Sequence, residues 1–134
     1  MNTYTTLAKE GTATLVERRS EFIGYAKPVN TEEEAAAFVM SIKKKHADAR
    51  HNVFAYVLRG GALKRYSDDG EPQGTAGMPT LNAIQSQHVE NAVVVVVRYF
   101  GGILLGASGL TRAYRKAASM GISACETVKK ILYD

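Results

Sequence analysis

The chain has 134 residues with a hydrophobic fraction of 46%, a charged fraction of 22% and a formal net charge of +4, which excludes a disordered or low-complexity polypeptide and permits an anionic partner without requiring one. One cysteine, Cys125, excludes an internal disulfide and, even with the three histidines, a closed Cys-rich zinc cage. There is no basic-then-apolar leader at the start and the longest aliphatic run, residues 92–97, is too short for a bilayer, so the expected place is the cytoplasm with no membrane contact.

Residues 12–16 and 22–29 read as two strands, and the polar Arg18-Arg19-Ser20-Glu21 between them suits a hairpin turn. Thr31-Glu32-Glu33-Glu34 is a capping box, followed by Ala35, Phe38, Val39 and Ile42 at helical spacing. Glutamates in the first turn and Lys43-Lys44-Lys45 in the last match the helix dipole, so the lysine triplet reads as a solvated helix end. Residues 52–58 form a strand apolar on both faces, with Val53, Ala55 and Val57 on one and Phe54, Tyr56 and Leu58 on the other. A turn at Arg59-Gly60-Gly61-Ala62 leads into a strand over 63–67. Residues 67–77 are a loop, and Pro79 takes the first position of a short helix carrying Leu81 and Ile84. Five valines, residues 93–97, require a central buried strand. After a glycine-rich turn, a long helix over about 108–124 shows Leu110, Ala113, Tyr114, Ala117, Ala118 and Ile122 as its apolar stripe. No repeat or linker divides the chain, so residues 1–134 are expected to form one domain, a two-layer α+β sandwich with a mixed sheet and helices packed on one face.

Two segments carry chemistry. Arg98-Tyr99-Phe100-Gly101-Gly102 through Gly106, leaving a strand and entering a helix, has the layout of a phosphate cradle. Gly101, Gly106 and Ser108 match Walker spacing, but Ala107 stands where the lysine must be, and no G-x-G-x-x-G occurs. Backbone N–H groups and a helix start remain as an anion site, against the plain reading that these glycines only permit special backbone angles. The second segment, residues 66–77, offers Asp68, Asp69 and Glu71 beside Gly70, Gly74, Thr75 and Gly77. Three carboxylates in four residues suit a hard cation, but EF-hand spacing is absent. The expectation is that Asp69 and Glu71 accept backbone N–H bonds within the loop around Gly70 and Gly74. No nucleophile triad can be assembled: Ser108 lies outside a G-x-S-x-G elbow, Cys125 reads as packed and His51 as a hydrogen-bonded strand-end residue. No catalytic residue, metal or cofactor is assigned.

Arg98-Tyr99-Phe100-Gly101-Gly102 with Leu105-Gly106 resembles the signature of the Impact family, the YigZ-like proteins. The resemblance extends through Ser67-Asp68-Asp69-Gly70-Glu71-Pro72, Gly74-Thr75-Ala76-Gly77 with Pro79, His51, Ser20-Glu21-Phe22-Ile23, Gly109-Leu110 and Arg112-Ala113-Tyr114. It covers about residues 15–124, and it departs at Leu104, where many members have lysine, and at Ser108, where many have glycine. The resemblance implies a fold like domain 2 of ribosomal protein S5, and a second, ferredoxin-like domain of which residues 126–134 would be the beginning, unless they form a closing strand. It also implies a link to translation regulation. The leading expectation is a non-enzymatic binding module for RNA or a ribosome-associated protein. Arg98, Arg112, Arg115 and Lys116 would meet the anion, with Tyr99, Phe100 and Tyr114 stacking on unpaired bases. Rival readings are a metal-dependent hydrolase using His51, Asp68, Asp69 and Glu71, and a protein-interaction scaffold. Arg98 is expected at a strand end, paired with a carboxylate from residues 68–71.

Overall fold

In the computed structural model, which describes residues 3–132, the elements run β1 (Thr3–Leu7), β2 (Gly11–Glu17), β3 (Ser20–Pro28), α1 (Glu32–Lys45), β4 (His51–Leu58), β5 (Leu63–Ser67), α2 (Gly77–Ser86), β6 (Ala92–Tyr99), α3 (Gly106–Ala124) and β7 (Thr127–Ile131). Five strands form one sheet in the order β2-β3-β6-β4-β5. The valine strand β6 is its centre, and Val93 through Val97 are all fully buried.

Strand alternation decides what each face holds. Val94 and Val96 join Phe22, Ala26, Val53, Ala55 and Val57 beneath α2 and α3. Val93, Val95 and Val97 join Tyr56 and Leu58 beneath Ala35, Val39 and Ile42 of α1. The α+β class is as expected, and two details change. The helices take both faces, giving three layers, because β4 and β6 are apolar on both sides and each side must be covered. Every pairing in the sheet is antiparallel, since β6 separates β3 from β4, the strands that run in the same direction.

The local signals act as their chemistry requires. The turn between β2 and β3 is the two residues Arg18 and Arg19, both in the left-handed region at φ 46 and 68, a twist that matches the flanking strands. Thr31 caps α1 by accepting from the Glu34 N–H at 3.1 Å, while the Glu34 carboxylate reaches back to Asn30 N. Pro79 falls at the third position of α2, where an N–H would have had no partner. At the chain's end β7 pairs with β1, a strand the sequence reading did not find, in a two-stranded ribbon from Thr3 opposite Ile131 to Leu7 opposite Thr127. Tyr133 and Asp134, part of the expected closing strand, lie outside the described residues.

Candidate functional site

Register builds the site. At one end of the sheet Phe22 of β3, Arg98 of β6 and His51 of β4 are direct cross-strand neighbours, all on the α2–α3 face. The loop after β5 lays Glu71 over this row. Its Oε2 accepts from Arg98 Nη1 at 2.7 Å and from the Tyr114 hydroxyl of α3 at 2.5 Å, and its Oε1 lies 3.3 Å from His51 Nε2. The Arg98 and Glu71 side chains are only 6% and 3% exposed. Arg98 also donates from Nε and Nη2 to the Ser20 hydroxyl, and its guanidinium lies 5.5 Å from the Phe22 ring centre and 5.4 Å from that of Phe100. Burial first, then the bond to Glu71, raises the Tyr114 pKa well above that of an ordinary tyrosine, so Tyr114 stays a neutral donor. His51 Nδ1 lies 2.8 Å from the Asp69 carbonyl. A carbonyl only accepts, so Nδ1 carries the proton and Nε2 is the nitrogen that faces Glu71.

The remaining loop residues hold the loop in place. Asp68 accepts from Gly74 N at 3.0 Å, Ala76 N at 3.2 Å and Gly77 N at 2.7 Å, capping α2 from a distance where Ala76 has no capping side chain. Asp69 accepts from Asn52 N at 2.7 Å, tying the loop to β4. Thr75 donates to the Pro72 carbonyl, Gly70 lies against the His51 ring and Gly77 against the Ser67 backbone. The expected division of labour is thereby corrected. Asp68 serves the loop's own N–H groups, whereas Glu71 is the buried partner of Arg98, because only its longer side chain reaches back over the sheet. Among the described residues no three His, Cys, Asp or Glu groups converge as a metal-ligand set. The four groups of the hydrolase reading already have partners of their own.

The glycine turn meets the hairpin. A Cβ on Gly101 would lie 2.1 Å from the Arg19 carbonyl, and Gly101 N donates to the same Ser20 hydroxyl that holds Arg98. Gly102 and Gly106 have φ of 87 and 75, with open space around them. A cleft of about 350 Å³ opens here, lined among others by Arg50, His51, Arg98, Phe100, Leu104 and Gly106. The start of α3 at this rim has no side-chain cap and no acidic residue in its first turn. Arg50 lies 5.1 Å over Phe100, and Leu104 is 81% exposed. Arg112 and Lys116 line an adjoining depression with Leu15, Arg18 and Leu105, and Arg115 is exposed on the same helix. A hollow of about 660 Å³ between α1 and the β2–β3 wing contains none of the motif residues.

Two of the aromatic residues expected to stack on bases cannot do so. Tyr99 is one residue from Arg98 and points to the opposite face, where its hydroxyl lies 2.7 Å from His46 Nδ1 and donates to Asp48 at 3.0 Å. Tyr114 is fully buried, so no base can stack on it. Phe100 alone of the three stands at the cleft. The sequence places Ser20 in the hairpin turn and gives no sign that it holds Arg98. It is a small polar residue directly after a tight turn, fully buried with three donors around its oxygen.

The model of the Impact N-terminal domain matches residues 18–122. The chain is 41% identical over 133 residues to the IMPACT family member YvyE of Bacillus subtilis, covering 98% of this chain and 61% of that protein. A crystal structure described as that of a hypothetical protein superposes with a TM-score of 0.92 at 37% identity, over 97% of this chain and 65% of its own. The structure of Yih1, described as a two-domain translational regulator, is similar at a TM-score of 0.50 and 27% identity, over 87% of this chain and 46% of its own.

Proposed function

The chain belongs to the Impact family, and from that premise we propose that it is a non-enzymatic binding module connected to the regulation of translation, engaging RNA or a ribosome-associated partner through the end of the sheet where the glycine turn lies. Relatedness to a translational regulator supports the connection to translation, and the surface supports the class of ligand. The observation that carries the reading is a set of cations left without partners. Among the described residues, Arg19, Arg50, Arg112, Arg115 and Lys116 have no carboxylate within 4.0 Å, whereas Arg98 is held by Glu71. Arg50 and the uncapped start of α3 border one cleft, Arg112 and Lys116 the depression beside it, and Leu105 lines both. Phe100 brings an aromatic ring to the cleft, with the Arg50 and Arg98 guanidinium groups 5.1 and 5.4 Å from its centre.

Arg98 then acts as a positioning residue. It fixes the turn and the Phe100 ring, while exposed cations meet the phosphates. Titration of the 134-residue chain with single-stranded RNA across a salt series tests this. Three or four phosphate contacts give a log–log slope of about −2 to −3, and Arg112→Ala or Lys116→Ala each make it shallower by roughly 0.7. A flat titration, or no binding at low salt, removes nucleic acid from the reading.

A further inference from the structure

We propose that β2 is a self-pairing edge, through which two copies of this chain join their sheets antiparallel about a two-fold axis at Thr14. β2 and β5 are the two edges of the main sheet. β5 is five residues long and presents Lys64 and Arg65 to solvent, the usual defence of an edge. β2 pairs continuously with β3 over seven residues, and from Gly11 to Val16 it has no charge, no proline and no bulge. Val16 is 65% exposed.

The hairpin turn determines which backbone groups remain free. Glu17 and Ser20 flank a two-residue turn and so exchange both their bonds, as do Leu15, Ala13 and Gly11 with their partners at alternate steps. The N–H and C=O of Thr12, Thr14 and Val16 therefore face away from β3, and among the described residues they make no bond outside the strand. A two-fold axis at Thr14 pairs Thr14 with its copy and Thr12 with Val16, using every outward group. The same register sets Ala13 opposite Leu15 and brings Glu10, just before the strand, level with Arg18 of the hairpin turn, once on each side of the axis. Moving the register two residues either way brings Arg18 level with Ala8 or Thr12, so this register is the one that sets opposite charges level. Glu10 has only an exposed contact with Lys27, at 3.7 Å, to compete. The cations of α3 do not oppose their copies. Arg112 and Lys116 lie near Leu15 and Glu17 and Ala124 near Gly11, so the axis sets the start of one helix beside the end of the other.

Sedimentation equilibrium of the 134-residue chain, from low-micromolar to near-millimolar concentration, reads the association. The expected mass rises from the monomer's 14.5 kDa toward twice that value. Thr14→Pro removes an outward N–H and spares the hairpin, so it should give a monomer with the parent's circular dichroism. Glu10→Arg and Arg18→Glu should each weaken association roughly tenfold, and the double swap should restore it. A monomer at every concentration overturns the proposal, as does a dimer indifferent to Thr14→Pro. If Thr14→Pro does not fold, the charge swaps decide: failure of the double swap to restore association overturns it.

Discussion

Replacing Arg98 with alanine tests the central claim of the site, that its guanidinium holds the fold together and is not itself a ligand for phosphate. The bond to Glu71 is 2.7 Å long between side chains 6% and 3% exposed, so solvent screens the pair very little. Breaking a buried pair costs about 3 to 5 kcal/mol. The lower end applies, because Tyr114 still donates to Glu71 and His51 still faces it. Loss of the contacts with Phe22 and Phe100 adds about 1 kcal/mol. A total near 3 to 4 kcal/mol, divided by a slope of roughly 2 kcal/mol per molar, lowers the urea midpoint by about 2 M. Adding Glu71→Gln to Arg98→Ala removes the stranded charge and should recover part of the loss, a coupling that a double-mutant cycle isolates. An unchanged midpoint in Arg98→Ala would refute the reasoning and make the guanidinium a solvent-facing ligand, worth well under 1 kcal/mol to stability.

Asp68→Ala should cost about 1 to 2 kcal/mol in denaturant unfolding, because the N–H groups of Gly74 in the loop and of Ala76 and Gly77 at the start of α2 lose their acceptor; Asp68→Asn should recover much of it. Burial first, and then Lys45, hold the His46 pKa below that of a free histidine, with Tyr25 and Tyr99 bonded to its two nitrogens. A depressed histidine stabilises the fold above its unfolded value and loses that contribution as pH falls through the folded value. The melting temperature should therefore fall on acidification below about pH 6.5, and His46→Gln should flatten that part of the profile. The Cys125 thiol, fully buried and pushed up to about 11 chiefly by burial, should react with a disulfide reagent at neutral pH only as fast as the protein opens. Fast labelling of the native chain would contradict its placement.

Where one residue's periodicity was enough, the sequence was legible. The valine strand, the two faces of β4, the capped first helix and the buried stripe of α3, Gly121 apart, follow from spacing and from what water excludes. The cover for the second face of the sheet was not deduced, although the both-faced pattern of residues 52–58 already demanded it. Thr3–Leu7 escaped notice because its partner, Thr127–Ile131, lies at the other end of the chain and the pair has little local signal. At the site, the pairing of Arg98 with the acidic loop was foreseeable from charge and strand-end geometry. Which carboxylate it takes was not, because that depends on how the loop folds back. The stacking role given to Tyr99 and Tyr114 failed on direction: one residue along a strand changes the face, and a helix stripe that fills a core cannot also meet a base.

The pairing of β3 with β6 has a consequence for how the molecule reaches this structure. Tyr25 and Val95 are partners about 70 residues apart in the chain, so the central ladder closes only after a long loop has been brought together, a step that slows folding. During synthesis the β2–β3 hairpin leaves the ribosome well before its neighbour exists, with Phe22 and Ala26, both fully buried in the finished fold, exposed on one side. The β2–β3 hairpin, the capped first helix and the β4–β5 hairpin all precede the valine strand in the chain. The valine strand would then enter as the last piece of the main sheet, joining two halves that have no ladder between them until it arrives.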